Sequence, residues 1–167
     1  MNEAVFPMSL PIRAEVTPLT GSFFYNELIK AIDESKLWIK VVQYQWKWNI
    51  HQRHSLVQRL GEAVLNAQKR GVLVSVILDQ EAPNHHLTRI NRVAGDHLAR
   101  GGCQVKMYPS SVLVHTKLWV IDGRVVFIGS HNISTRSLSV NEETSVLIKS
   151  VPIACYFKEY FEVLWRG

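Results

Sequence analysis

Four polar side chains of complementary chemistry lie close together in the second half of the 167-residue chain: His115, Lys117, Ser130 and Asn132. A neutral imidazole is a usable nucleophile or base. An ammonium with amide and hydroxyl donors is what the oxygens of a phosphoryl group need as charge builds in a transition state. A carboxylate accepting from the other ring nitrogen would fix the tautomer and stabilise the imidazolium. Glu142 and Glu143 both qualify, and only one of them can face the site if this segment is a strand.

Something must bring these residues together, and the sequence between them predicts a hairpin. Asp122-Gly123 stands between two apolar, β-branched runs, 118–121 and 125–128, which is a strong hairpin signal. A two-residue loop would set 121 opposite 124, 119 opposite 126, 117 opposite 128 and 115 opposite 130. Paired residues share a face and strand side chains alternate, so His115, Lys117, Ser130 and Asn132 would emerge together. His131 has the opposite parity and is expected to point away, in a structural or solvent-facing position.

The flanking sequence supplies the frame. Phe23, Phe24, Leu28, Ile29 and Ile32 recur at helical spacing from Gly21 onward, and residues 37–46 read as a buried strand. Leu56, Leu60, Val64 and Leu65 share a stripe that ends in basic residues before Gly71, which predicts a helix with a glycine stop. Residues 72–79 form an apolar strand, so strand, helix, strand predicts a parallel crossover. A helix over about 88–100 and a strand over 105–108 repeat the theme. Residues 144–148 read as a strand, and a C-terminal helix turns Ile153, Tyr156, Phe157, Tyr160, Phe161 and Leu164 inward. The expected fold is α/β: a mixed, mostly parallel sheet with helices on both faces and the polar cluster at its edge or end.

A length of 167 residues with 47% hydrophobic and 20% charged residues fits one soluble domain. Pro7, Pro11 and Pro18 predict an extended lead-in over residues 1–20, with the domain at 21–167. The N-terminus has an early acid and no continuous apolar run, so no signal, no stable membrane insertion and a cytoplasmic location are expected. The net charge of +5 favours polyanionic partners, nucleic acid or an acidic membrane surface. Cys103 and Cys155 lack C-x-x-C spacing and are expected as reduced core thiols. No carboxylate or cysteine cluster accompanies His85-His86, so those residues read as loop and no metal is expected.

The series His115-x-Lys117, Asp122-Gly123, Gly129-Ser130-x-Asn132 and Asn141-x-Glu143 resembles the HKD motif of the phospholipase D superfamily, with its downstream GS-x-N and N-x-E elements in order. The preceding strand and helix order fits as well, so the resemblance covers most of the chain beyond residue 20. It implies a phospholipase D-like fold and a phosphohistidine mechanism without metal or other cofactor. His115 would be the nucleophile, Lys117, Ser130 and Asn132 the phosphate ligands, and Glu143 the partner of His115. Asp122 matches the family aspartate, but the hairpin places it in the turn, so its expected role is structural, as for Gly123, Gly129 and Asn141.

Enzymes of this superfamily use two such histidines, one as nucleophile and one as acid, and this chain has a single H-x-K. His51 continues into Gln52-Arg53 and His86 into Leu87-Thr88. The resemblance therefore implies a twofold homodimer with one shared site, as in the short Nuc-like endonucleases. The expected function is a metal-independent phosphodiesterase, an endonuclease on DNA or RNA. Its rivals are a phospholipase D or phosphatidyltransferase acting on phospholipid, and a nucleic-acid-binding module that grips phosphate without turnover. The stretch 36–70 carries seven Lys and Arg against Glu62, interleaved with Tyr44, Trp46 and Trp48. It reads either as a solvated face over a core or as a phosphate-tracking, base-stacking surface, with Lys47, Trp48 and Arg53 the candidate nucleic-acid contacts.

Overall fold

The computed structural model describes residues 11–48, 51–52, 54–109 and 113–167. In chain order the elements are β1 (Glu15–Thr20), α1 (Ser22–Glu34), β2 (Trp38–Gln43), α2 (Leu56–Lys69), β3 (Leu73–Gln80), α3 (His86–Arg100), β4 (Gln104–Pro109), β5 (Lys117–Ile121), β6 (Val125–Gly129), α4 (Thr135–Ser139), β7 (Thr144–Lys149) and α5 (Val151–Arg166). Serine side chains set the starts of α2, α4 and α5. Ser55 accepts from the Gln58 N–H, Ser134 from Ser137, and Ser150 from Ile153 with Pro152 in the first turn. Each occupies a donor that the opening turn of a helix leaves without a partner.

The strands form one seven-stranded sheet in the order β1-β7-β6-β5-β2-β3-β4. α2 and α3 return the chain between β2, β3 and β4, so those three run parallel; the remaining four pairings are antiparallel. The sheet is mixed, as expected, but parallel pairing is the minority. The physical reason is that β5 and β6 enter as a hairpin against β2, and β7 and β1 extend the sheet beyond it. β5 is thus the central strand.

Two apolar layers flank this sheet. On one face Leu28, Ile32, Leu60, Val64, Leu98 and Leu138 of α1 to α4 pack on Val41, Val76, Trp119 and Phe127. On the other, Ala154 and Phe161 of α5 pack on Val42, Ile77, Leu118, Val120 and Val126. Full burial of a phenylalanine such as Phe161 contributes roughly 1.5–3 kcal/mol. Helices therefore cover both faces, and no helix among the described residues is long and apolar enough to cross a membrane.

Three details differ from the sequence reading. Residues 15–20, in the stretch expected to lead into the domain, are extended and pair along β7 from Glu15↔Lys149 to Thr20↔Thr144, so the sheet begins before residue 21. Pro18 is compatible with this position because β1 is an edge strand. Residues 1–10 of that lead-in lie outside the described residues. Cys103 is buried, which pushes its thiol up to about 11, but Cys155 is exposed. On α5 the buried positions are Ala154 and Phe161, one helical stripe, and Cys155 falls off it. The third is α4, a five-residue helix too short to show apolar periodicity.

Candidate active site

The hairpin forms around Asp122 and Gly123, both with positive φ (51° and 66°), and Arg124 N–H closes the turn on the Ile121 carbonyl at 3.2 Å. Pairing resumes one residue later than expected: Ile121 faces Val125, Trp119 faces Phe127 and Leu118 faces Ile128. Arg124 is an extra residue whose carbonyl is taken by the Ser150 N–H at 2.9 Å. A one-residue slip turns each β6 side chain to the face opposite the expected one. The predicted pairs 119 with 126, 117 with 128 and 115 with 130 are therefore corrected.

The expected residues nevertheless converge, for a different reason. β6 ends at Gly129, and the chain leaves the strand. Ser130 N–H donates to the Thr144 carbonyl at 2.9 Å, and Ile133 bridges to Trp46, with its N–H on the Gln45 carbonyl (2.9 Å) and its own carbonyl accepting from the Lys47 N–H (2.7 Å). This detour places Ser130 and Asn132 beside Lys117. Gly129 makes it possible, since a Cβ there would overlap both Ser145 and the Thr144 backbone.

His115, Lys117, Gly129, Ser130, Asn132, Glu143 and Thr144 line one open cavity of about 490 Å³. Lys117 is opposite Gln43, so the cavity opens at the carboxyl end of β2, where open α/β sheets place their ligands. Lys117 is only 7% exposed. Its Nζ donates to the His115 carbonyl at 2.8 Å and sits 4.9 Å from the centroid of the Tyr44 ring. Burial holds its pKa below the ordinary lysine value, while the Glu143 carboxylate acts in the opposite direction. A nearly buried ammonium that spends one donor on a carbonyl is suited to an incoming anion.

Of the two acids, Glu143 lines the cavity and Glu142 is exposed. The Glu143 carboxylate accepts from Ser130 Oγ and, at 3.2 Å, from Asn141 Nδ2. Burial pushes its pKa up, but hydrogen bonds from Ser130, Asn141 and Ser137 outweigh this and hold it below the ordinary carboxyl value. Glu143 was expected to orient His115; within one chain it is bonded to Ser130 and Asn141 instead. Asn141 thereby reaches the site through Glu143.

Sequence reasoning missed the residues behind His115. Asp79, at the end of β3, is 1% exposed and its Oδ1 accepts from the Val114 N–H at 2.8 Å. Burial pushes its carboxyl pKa up, with the Val114 bond and the His115 charge acting against it. The Tyr44 ring packs edge-on to His115 at 4.5 Å, and Tyr44 N–H holds the Thr116 carbonyl at 2.9 Å. Asn91, fully buried on α3, joins these parts: its Nδ2 donates to the carbonyls of Tyr44 (2.8 Å) and Asp79 (2.9 Å), and its Oδ1 accepts from Trp46 N–H (2.9 Å). Nothing in the local sequence marks Asp79 or Asn91: Asp79 ends an apolar strand and Asn91 stands between Ile90 and Arg92 on an amphipathic helix, both far from the motif.

Other candidates are placed as follows. The Asp122 carboxylate accepts from the backbone N–H groups of Lys36 (2.8 Å), Leu37 (2.8 Å) and Trp38 (3.0 Å), tying the hairpin turn to the start of β2. His131 points away from the site and is fully buried, stacked on Phe24 at 4.1 Å with Nδ1 2.7 Å from Ser145 Oγ. Trp48 does not offer a stacking face: it is 6% exposed, packed between Trp46 and His97 and against Gly61. Lys47 is exposed, and Arg53 lies outside the described residues. His85 caps α3 and pairs with Glu81 at 3.2 Å; among the described residues no group of three or more His, Cys, Asp or Glu is placed to hold a metal ion.

A family model described as "Cardiolipin synthase, PLD-like domain" matches residues 28–165. The chain is 26% identical over 164 residues to a probable phospholipase D of Caenorhabditis elegans, covering 96% of this chain and 28% of that protein. It is 30% identical over 114 residues to the 5'-3' exonuclease PLD4 of Mus musculus (64% and 22% covered). It is 33% identical over 107 residues to the mitochondrial cardiolipin hydrolase of Xenopus tropicalis (64% and 49%). The matches therefore span between 22% and 49% of these relatives' own length. Among solved structures the fold is similar to that of Nuc from Salmonella typhimurium, a phospholipase D family member, with TM-score 0.75 at 22% identity over 91% of this chain and 95% of that one. NucT from Helicobacter pylori gives a TM-score of 0.70 at 16% identity over 92% and 97%.

Proposed function

The chain belongs to the PLD-like domain family of the phospholipase D superfamily, and on that premise we propose that it is a metal-independent phosphodiesterase that cleaves DNA or RNA at a site shared by two copies. The observation that supports this most is the convergence of His115, Lys117, Ser130, Asn132 and Glu143 on one open cavity. The net charge of +5 suits a polyanionic substrate.

In the proposed reaction an imidazole nitrogen of His115 attacks phosphorus, and the bond from phosphorus to the leaving oxygen breaks. Lys117, Ser130 and Asn132 hold the non-bridging oxygens as their charge grows. The leaving oxygen needs a proton, which the single H-x-K of one chain does not supply. The imidazolium of a second copy's His115 donates it, then takes a proton from the water that hydrolyses the phosphohistidine. Within one chain Glu143 is not bonded to His115, which leaves the twin's ring as the one for it to orient in the proposed shared site. Ser130 and Asn141 hold its carboxylate in place for that role.

The test compares nicking of a plasmid and cleavage of labelled single-stranded DNA and RNA, with chelator present, against headgroup release from cardiolipin vesicles. Cleavage of nucleic acid that His115→Asn abolishes, with an acid-labile phosphoryl adduct trapped on wild type alone, is expected. Headgroup release without nucleic-acid cleavage would establish the lipid reading, which the cardiolipin hydrolase relatives make the main rival. Binding of oligonucleotide without any turnover would leave the module.

A further inference from the structure

A second cavity, of about 280 Å³, is lined by Gln45, Lys47, Gln52, His86, Ser134 and Arg136 among others, and among the described residues no Asp or Glu lines it. Lys47 and Arg136 are exposed, and among the described residues neither pairs with a carboxylate. Two unneutralised cations facing one concavity repel each other, and an anion between them relieves that repulsion. Arginine offers a planar fork of donors and lysine a point charge, and the Gln45 and Gln52 amides add donors beside them.

The two cavities share a wall. Asn132 lines the first and Ser134 the second, and the Ile133 between them is held by backbone bonds to Gln45 and Lys47 at 2.9 and 2.7 Å. Two residues of extended chain span at most about 7 Å, which is within the reach of one sugar-phosphate repeat. Trp48, the neighbouring aromatic, is buried and offers no base a stacking surface. The two cations suit a phosphate, whose contacts position a strand without reading its sequence.

We propose that this second cavity binds the phosphate flanking the one cleaved, so that the chain holds a nucleic-acid strand at two successive phosphates, one above Lys117 and one on Lys47 and Arg136. The strand identity rests on the phosphodiesterase reading above; the anion site itself does not. Recognition at this position is independent of sequence, and the enzyme discriminates polymeric diesters from those with a single phosphate.

The test uses Lys47→Gln/Arg136→Gln and, as control, Lys158→Gln on α5. Two substrates are compared: bis(p-nitrophenyl) phosphate, which has one phosphate, and a fluorescein-labelled single-stranded 12-mer. The ratio of kcat/KM for the 12-mer to that for the small diester is expected to fall at least tenfold in the double variant and to stay at the wild-type value in the control. Binding is measured separately on a His115→Asn background by anisotropy against salt. Loss of the one flanking-phosphate contact should reduce the magnitude of the log–log salt slope by about 0.7. An unchanged ratio together with an unchanged slope overturns the proposal, as does a double variant that loses binding to cardiolipin vesicles but not to the 12-mer. If wild type cleaves neither substrate, the proposed function fails while the salt slope still decides whether the cavity holds phosphate.

Discussion

At the scale of single residues, Glu143 and Gly129 show how a motif letter acquires a physical meaning. The Glu143 carboxyl is held below its ordinary value of 4.5 by its hydroxyl and amide donors despite burial. A depressed carboxyl contributes stability above its unfolded value, and that contribution is lost as pH falls through the lower folded value. Thermal unfolding of wild type against Glu143→Gln should therefore show a gap at neutral pH that closes as the pH drops below 4.5. A gap that persists unchanged in acid would mean the donors around Glu143 do not favour its charge. Gly129 is required by space rather than by φ, since any Cβ meets Ser145 and the Thr144 carbonyl. Gly129→Ala is expected to destabilise by about 1–3 kcal/mol through overpacking, and to depress activity more than stability because Ser130 moves with the displaced strand end. Denaturant melts beside kcat/KM check both parts.

At the scale of elements, two carboxylates fix where β5 starts and where it turns. Asp79 holds Val114, and so the segment that carries His115, to the end of β3. Asp79→Ala leaves the buried Val114 N–H unsatisfied and is expected to destabilise by about 1–3 kcal/mol, with a fall in kcat exceeding any rise in KM. Asp79→Asn retains an acceptor without the charge. Because the folded-state pKa of Asp79 is raised, its charge weakens folding above that value and the penalty is relieved as pH falls through it toward 3.8. The Asn variant should thus gain most over wild type at neutral pH and converge with it in acid. At the other end, Asp122→Ala removes the acceptor of three backbone N–H groups and puts alanine at a φ of 51°. A loss of about 1.5–3 kcal/mol follows, with activity per folded molecule retained. Loss of activity at full stability would instead give Asp122 a part in the chemistry.

At the scale of the whole molecule, the proposed shared site has a consequence no single chain can imitate. When wild type and His115→Asn are unfolded together in equal amounts and refolded, random pairing leaves about a quarter of the dimers with two intact imidazoles. Activity near that fraction is expected if both are needed; activity near half would mean that each chain works alone. Sedimentation of the wild type should give a dimer mass, and a monomer that hydrolyses diesters would remove the basis for the proton donor assigned here.

Most of the frame was legible because its signals are local. Periodicities of 3.6 and two located α1, α2, α3, α5 and the strands from β2 to β7 within a few residues, though not β1, and the spaced polar series by itself pointed to the phospholipase D superfamily. The order of the sheet was not legible: the choice between parallel and antiparallel neighbours depends on which edges meet, and most of these pairings turned out antiparallel. Nor was the register of the central hairpin, where the Arg124 carbonyl is claimed by Ser150, 26 positions away. Sequence alone determined which side chains possess the chemistry. Tertiary structure decided how they meet, because the detour at 130–134 is held by hydrogen bonds to residues 45–47, and the support behind His115 comes from Asp79 and Asn91, buried groups whose partners lie on other elements.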